Sequence, residues 1–301
     1  MTYFSARLPV LYPTDAEALF TALEDHNVPY ALLDGTKDVW VRDFMPVRTR
    51  SGRMLSFRYE PSYLAGAPEL RTDFRRDMAL QLTPDLKVKA LSSGMAAKLI
   101  YSAINLDGGN VVLSPSGGRA LVSDRIFAEN PDCERKELVQ KLSALLEAEV
   151  LIIPSLRSDM TGHADGMARF LDDHTVVSNR PLSPRGFEKT VYAALRYHGL
   201  DVLDFPFFSA PGHSAAGCYL NYLETKQAVF LPVFGSTRDT EAVAAAKHVF
   251  SRPVVPVMVP SIAADGGGLH CISWEFDIGP QTGNEQSLCS GMPLLEHRGR
   301  H

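Results

Sequence analysis

The strongest constraint on the fold is an internal recurrence. Helix-start signals return at roughly 50–60 residues, each is followed by a strand candidate, and about five such units fill the chain. A period of that size belongs to radial or repeating architectures, where every unit supplies the same supersecondary piece. The first signal is the capping-box pattern Thr14-Asp15-Ala16-Glu17, with Leu19, Phe20 and Leu23 on one face. A weaker one lies near Leu70 to Leu80. The third follows Asn130-Pro131, with Leu138, Leu142, Leu145 and Leu146 at core spacing and Pro131 suited to the first turn. The fourth runs from Ser183-Pro184 to a stop at Gly199, with Phe187, Val191 and Leu195 inward. The fifth begins near Ser236 to Asp239 and carries Val243, Ala246, Val249 and Phe250.

Strand candidates follow these helices at Tyr30-Ala31-Leu32-Leu33, Val150-Leu151-Ile152-Ile153 and Val254 to Val259. A hairpin is plainest in the third unit, where Met167 to Leu171 and His174 to Ser178 flank the turn Asp172-Asp173. No Pro/Ser-rich linker or charge block separates the units. The expectation is one continuous α/β domain over residues 1–301.

Of the 301 residues 45% are hydrophobic and 22% charged, and the formal net charge is -5. Nothing in that balance calls for nucleic acid or a membrane surface as a partner. Cys133, Cys218, Cys271 and Cys289 are scattered, without C-x-x-C pairs or a zinc-type framework, so reduced thiols are expected. Met1 to Val10 lack the apolar core of a signal peptide and no apolar run is long enough to cross a bilayer. Cytoplasmic residence is the expectation.

Each unit also carries one polar or glycine-rich segment. In order these are Trp40-Val41-Arg42-Asp43, Leu106-Asp107-Gly108-Gly109-Asn110, Gly162-His163-Ala164-Asp165-Gly166, Gly217-Cys218-Tyr219-Leu220-Asn221 and Gly266-Gly267-Gly268-Leu269-His270-Cys271. Loops repeated around a pseudo-axis meet at its centre, so carboxylates, an imidazole and a thiol far apart in sequence are expected to share one pocket. The three glycines permit a sharp bend and close approach of a substrate to Cys271, which opens the strand-like Ile272 to Glu275. Taken singly, each motif also has a plain reading. Asp43 beside Arg42 suits a surface ion pair, Asp107 to Asn110 suits a turn, and Trp40 suits a core.

Together these motifs resemble the guanidine-modifying superfamily, most of all agmatine deiminase and the bacterial peptidylarginine deiminases, over roughly residues 38 to 276. The resemblance implies a five-bladed α/β propeller of ββαβ repeats with pseudo-fivefold symmetry, and a hydrolase that turns a guanidinium into a ureido group plus ammonia. It implies Cys271 as nucleophile, Asp43 and Asp165 as the carboxylates that hold the guanidinium, Asp107 as the partner of an imidazole, and substrate contacts from Trp40, Asn221 and Tyr219.

The residue types suit that chemistry. A guanidinium is planar, permanently cationic and a poor electrophile, and carboxylates in its plane fix its orientation through paired N–H bonds. A thiol with an ordinary pKa of ~8.5 attacks only as thiolate, and the bound cation itself favours that form. His163 lies two residues before Asp165, a spacing that puts both on one side of an extended segment. His163 is therefore expected as general acid for the departing amine and then as base for water. His270 is read as the bulky neighbour that orients the turn, and Cys133, Cys218 and Cys289 as structural. No metal and no cofactor are expected. The expected partner is a small-molecule guanidino substrate, and a homodimer is the assembly allowed for.

Three other readings stay open on the sequence. An amidinotransferase hands the amidino group to an amine, and Asp107, where many deiminases carry glutamate, keeps that alternative. A zinc hydrolase would use His163, Asp165, His270 and Cys271, although no H-E-x-x-H-like ligand pair is present. A non-catalytic guanidinium-binding module would not need the thiol. Substrate choice is assigned to Arg58, Glu60 and Tyr63, with Glu60 suited to an amine and Arg58 to a carboxylate.

Overall fold

A computed structural model describes residues 1–78, 99–183 and 185–276. Within them the chain forms five three-stranded sheets, each built on one plan. A short strand pairs antiparallel with a central strand, which pairs in parallel with a third. The third strand is reached by a crossover, as a parallel pair requires. Four sheets take their strands in sequence. These are β3 (Val47–Arg48), β4 (Met54–Arg58) and β5 (Leu99–Asn105); β6 (Val112–Leu113), β7 (Arg119–Ser123) and β8 (Glu149–Ile153); β9 (Ala168–Phe170), β10 (Thr175–Asn179) and β11 (Asp201–Phe205); and β12 (Leu223–Glu224), β13 (Val229–Val233) and β14 (Val254–Met258).

The fifth sheet joins distant parts of the chain. β1 (Thr2–Ser5) pairs in parallel with β2 (Tyr30–Leu33) and antiparallel with β15 (Trp274–Glu275), which sets Tyr3 opposite Trp274. The architecture is the five-bladed α/β propeller expected from the motifs. Central strands such as β13 are buried along their whole length, so they read as unbroken apolar runs rather than as alternating ones.

Crossover helices bury one stripe each against their sheets. Arg135–Leu146 places Leu138, Leu142 and Leu146 in the core with Leu55, Val122 and Ile126. Phe187–Tyr197 buries Val191 and Leu195, and Asp239–Val249 buries Ala242 and Ala246 beside Phe250. No helix among the described residues is long and apolar enough to cross a membrane.

Helix starts differ from the sequence reading in instructive ways. The helix Pro13–Asp25 begins with Pro13 in its first turn, and Thr14 does not cap it. Asp15 is instead buried and accepts from the backbone N–H groups of Ser261 and Ile262 at 2.8 and 2.9 Å. It therefore caps the helix Pro260–Ala264 and ties it to the start of the chain. Glu134, not Pro131, opens Arg135–Leu146, its carboxylate accepting from Lys136 and Glu137 N–H. The weak signal near Leu70 to Leu80 gives one π-helical turn, Phe74–Met78, and its end lies outside the described residues.

Replacing Asp15 by alanine leaves the buried Ile262 N–H without its acceptor. The expected cost is about 1–3 kcal/mol, read as a lower urea midpoint at unchanged denaturant slope.

Candidate active site

All five polar segments follow the third strand of their blade and lead into the next blade. Trp40 to Phe44 follows β2, Gly108–Asn110 follows β5, Ala164–Gly166 follows β8, Gly217 to Asn221 follows β11, and the Cys271 turn follows β14. Equivalent positions in the repeat bring them together at one cavity of about 310 Å³. Trp40, Asp43, His163, Asp165, Asn221 and Cys271 line it. Asp107 stands behind the imidazole, buried, with Oδ2 2.8 Å from His163 Nε2 and accepting from Tyr63 Oη–H at 2.9 Å.

Glycines set these distances. A methyl group on Gly109 would lie 2.7 Å from both Asp43 Oδ1 and His163 Nδ1. On Gly267 it would meet the Trp40 ring at 2.2 Å, and on Gly268 the Asn221 side chain at 2.8 Å. The glycines of the thiol turn thus admit protein side chains, where the sequence suggested room for substrate. Trp40 is both packing partner and cavity wall.

Cys271 is held by one side chain. Asn221 Oδ1 accepts from the N–H groups of His270 and Cys271 at 3.0 and 3.1 Å, and Nδ2 donates to Cys271 Sγ at 3.0 Å. Expected to touch substrate, Asn221 uses its polar atoms on the thiol turn. Tyr219 is core rather than site, fully buried with its hydroxyl donating to Asp239 at 2.7 Å.

His163 and Asp165 do not share an extended segment. His163 is extended, but Ala164–Gly166 is a 3₁₀ turn, and the two side chains go to different partners. Asp165 Oδ2 lies 2.6 Å from His270 Nδ1 and 3.9 Å from Cys271 Sγ. Asp43 does not pair with its neighbour Arg42, which pairs with Glu275. Its Oδ1 accepts from Gly109 N–H at 3.1 Å and lies 3.6 Å from His163 Nδ1.

Burial and the neighbouring charges displace the titrations of His163, Asp43, Asp165 and Cys271. Burial alone would push His163 down, but the Asp43 and Asp107 carboxylates prevail and raise it to about 10, so it stands protonated at neutral pH. Burial pushes Asp43 up to about 8 against the pull of His163. Burial would also raise Asp165, and the His270 hydrogen bond reverses that and holds the carboxyl low. The Cys271 thiol is pushed well above its ordinary range by burial and then by the Asp165 and Asp43 charges.

His270, read as the neighbour that orients the turn, reaches the site itself, and its signal in the sequence is adjacency to Cys271. Tyr63, one of the three residues assigned to substrate choice, lines the cavity. Arg58 and Glu60 pair with each other at 3.9 Å on the surface and do not line the cavity. Cys218, read as structural, lies on the cavity wall; Cys133 is exposed, and Cys289 lies outside the described residues. The four residues considered for zinc divide into separate pairings, and among the described residues no His/Cys/Asp/Glu group converges as a metal site.

A propeller whose linkers gather carboxylates, imidazoles and the Cys271 thiol around a cavity has the arrangement of the guanidine-modifying class. The model of the Porphyromonas-type peptidyl-arginine deiminase family matches residues 13–276, and the chain belongs to that family. It is 24% identical to a candidate agmatine deiminase of Streptomyces avermitilis over 78% of this chain and 73% of that one. Its fold is similar to that of C. jejuni agmatine deiminase, with a TM-score of 0.67 at 17% identity over 91% of this chain and 92% of that one. It is also similar to DDAH from Pseudomonas aeruginosa, with a TM-score of 0.52 at 14% identity over 87% of each chain.

Removing one of the charges that suppress the thiolate tests this electrostatic picture. Asp165→Asn is expected to lower the apparent pKa for alkylation of Cys271 while burial keeps it above the free-thiol value of ~8.5. Iodoacetamide labelling rates against pH, with Cys271 mapped by mass spectrometry, measure it.

Proposed function

We propose that the protein is a guanidine deiminase that converts a guanidinium substrate to its ureido product and ammonia through a thiouronium on Cys271. The observation that carries this reading is the meeting of Cys271 Sγ, the carboxylates of Asp43 and Asp165 and the protonated His163 on one cavity. A guanidinium entering between Asp43 and Asp165 supplies the cation that the buried carboxylates lack. The same charge favours the thiolate, so a thiol suppressed in the empty site becomes a nucleophile when substrate is present.

Sγ then bonds to the guanidinium carbon. His163 Nε2 is tied to Asp107, which leaves Nδ1 to give its proton to the departing nitrogen as the C–N bond breaks and ammonia forms. The neutral imidazole next accepts a proton from water as its oxygen adds to the thiouronium carbon. Cleavage of the C–S bond returns the thiolate, the proton left on the added oxygen passes to solvent, and the neutral ureido product is freed. Asp43 and Asp165 hold the reacting carbon in line throughout. The reading assumes a reducing compartment such as the cytoplasm, where Sγ stays unoxidised.

Charge on the cavity wall also bears on substrate class. Among the described lining residues Asp43, Asp159, Asp165, Glu188 and Asp265 are carboxylates, and none is Lys or Arg. A guanidine ending in an amine suits that wall, and one ending in a carboxylate meets repulsion. Agmatine is therefore expected to be turned over with a higher kcat/KM than free arginine.

Ammonia and ureido product measured with agmatine, arginine and arginyl peptides test the reading. Ammonia without an added acceptor is expected, and product formed only when an amine is supplied would mean amidino transfer. Cys271→Ser is expected to abolish turnover with the fold kept, and a haloacetamidine is expected to label Cys271 ahead of the other thiols.

Binding carries its own pH signature. Asp43, raised to about 8 in the empty site, must lose its proton to pair with a guanidinium. Agmatine affinity for the Cys271→Ser variant is thus expected to fall by up to about tenfold per pH unit below that value. Calorimetric titrations in buffers of different ionisation enthalpy would register the released proton.

A further inference from the structure

We propose that His270 is a positioning residue of this reaction, its Nδ1–H fixing the Asp165 carboxylate across the cavity from His163. The inference rests on the deiminase reading. His270 is 8% exposed and Asp165 1%, and their 2.6 Å contact is the shortest link that either carboxylate facing the thiol makes to a side chain. It engages Oδ2, the oxygen that also faces Cys271 Sγ at 3.9 Å. With Oδ2 so held, Oδ1 is the oxygen of Asp165 left for a guanidinium N–H.

The donor is itself anchored. His270 N–H donates to Asn221, and its carbonyl accepts from Arg42 Nε–H at 3.3 Å and from the Ser273 hydroxyl at 3.1 Å. Its backbone therefore shares Asn221 with that of Cys271, and one turn sets both the sulfur and the carboxylate's donor. Arg169 and Arg42 are the cations whose charge reaches the ring, and Glu275 pairs with Arg42. Burial and those two cations push the imidazole down to about 4 despite Asp165. The ring stays neutral, and its single N–H belongs on Nδ1, where a carboxylate accepts it.

The two imidazoles of the site thus hold opposite protonation states. His163, pressed by Asp43 and Asp107, carries the mobile proton, whereas His270, pressed by Arg42 and Arg169, holds a fixed one. The hydrogen bond from His270 is also what keeps Asp165 ionised in spite of its burial. Removing that donor lets the carboxyl rise towards neutrality, so a second proton must leave beside that of Asp43, and the acid limb of kcat/KM should steepen and rise with it.

The test compares His270→Asn, whose amide N–H can stand where Nδ1–H stands, with His270→Leu, which has no donor. Ammonia release from agmatine is followed against pH. The Leu variant is expected to lose about 30-fold or more in kcat/KM at pH 7, with an acid limb at least about one unit higher. The Asn variant should stay within about fivefold of wild type with its limb in place. Should the Leu variant not fold, His270→Gln, whose amide stands where Nε2 stands, replaces it and is expected to show the raised limb. A donor-free variant with the wild-type limb, or equal losses in all variants, overturns the inference and leaves the deiminase reading intact. A wild-type protein that releases no ammonia overturns both.

Discussion

Buried carboxyl groups without a full complement of cations at the centre of the propeller are the feature on which the rest of the site depends. Asp43, Asp107 and Asp165 are all buried within reach of one cavity, and a buried carboxylate is tolerated only when paired or hydrogen-bonded. The protein supplies part of what they need. Asp107 has His163 and the Tyr63 hydroxyl, Asp165 has His270, and Asp43 has the Gly109 N–H and the flank of His163. What remains unmet is a cation between Asp43 and Asp165, and a planar one with several N–H donors fits that need better than a point charge.

That constraint also explains why the thiol is quiet when alone. A cysteine held against two carboxyl groups is a poor nucleophile, and the hydrogen bond that Asn221 donates to Sγ does not offset the effects of burial and of those groups. The same carboxylates attract the one class of ligand that reverses the effect. Binding and activation then have a single electrostatic cause, and reactivity towards neutral thiol reagents is kept low in the empty site.

Much of this was legible in the sequence because the repeat imposes it. The strands Tyr30–Leu33 and Glu149–Ile153 lie where apolar runs follow amphipathic helices, and the polar segments fall once per blade at equivalent ends. Less legible were features that depend on contacts between blades. Asp15 looked like part of a local capping box, yet it caps a helix 246 residues later, as its bond to Ser261 records. Gly267 and Gly268 looked only like an opening for substrate; Gly267 does line the cavity, and the two are also the contact points of Trp40 and Asn221. Each error gave a local cause to a residue whose partner arrives from the far end of the chain.

The joining of β1 to β15 bears on the chemistry as well as on the fold. Cys271 sits three residues before β15, and its carbonyl accepts from Arg42 N–H at 3.1 Å in the segment that carries Asp43. Arg42 also reaches the His270 carbonyl and pairs with Glu275 in β15. The thiol turn is therefore fastened to the segment that carries Asp43 by the same contacts that seat the last strand on the first blade. Loosening β15 would move Sγ relative to Asp43 and withdraw Trp274 from the cluster it shares with Leu33, Val41 and Met54, while the clusters around Leu138, Val191 and Phe205 contain no residue of β15. The placement of Sγ against Asp43 and the seating of the last strand on the first are one constraint in this chain, which gives a physical reason for a thiol placed so near the final strand.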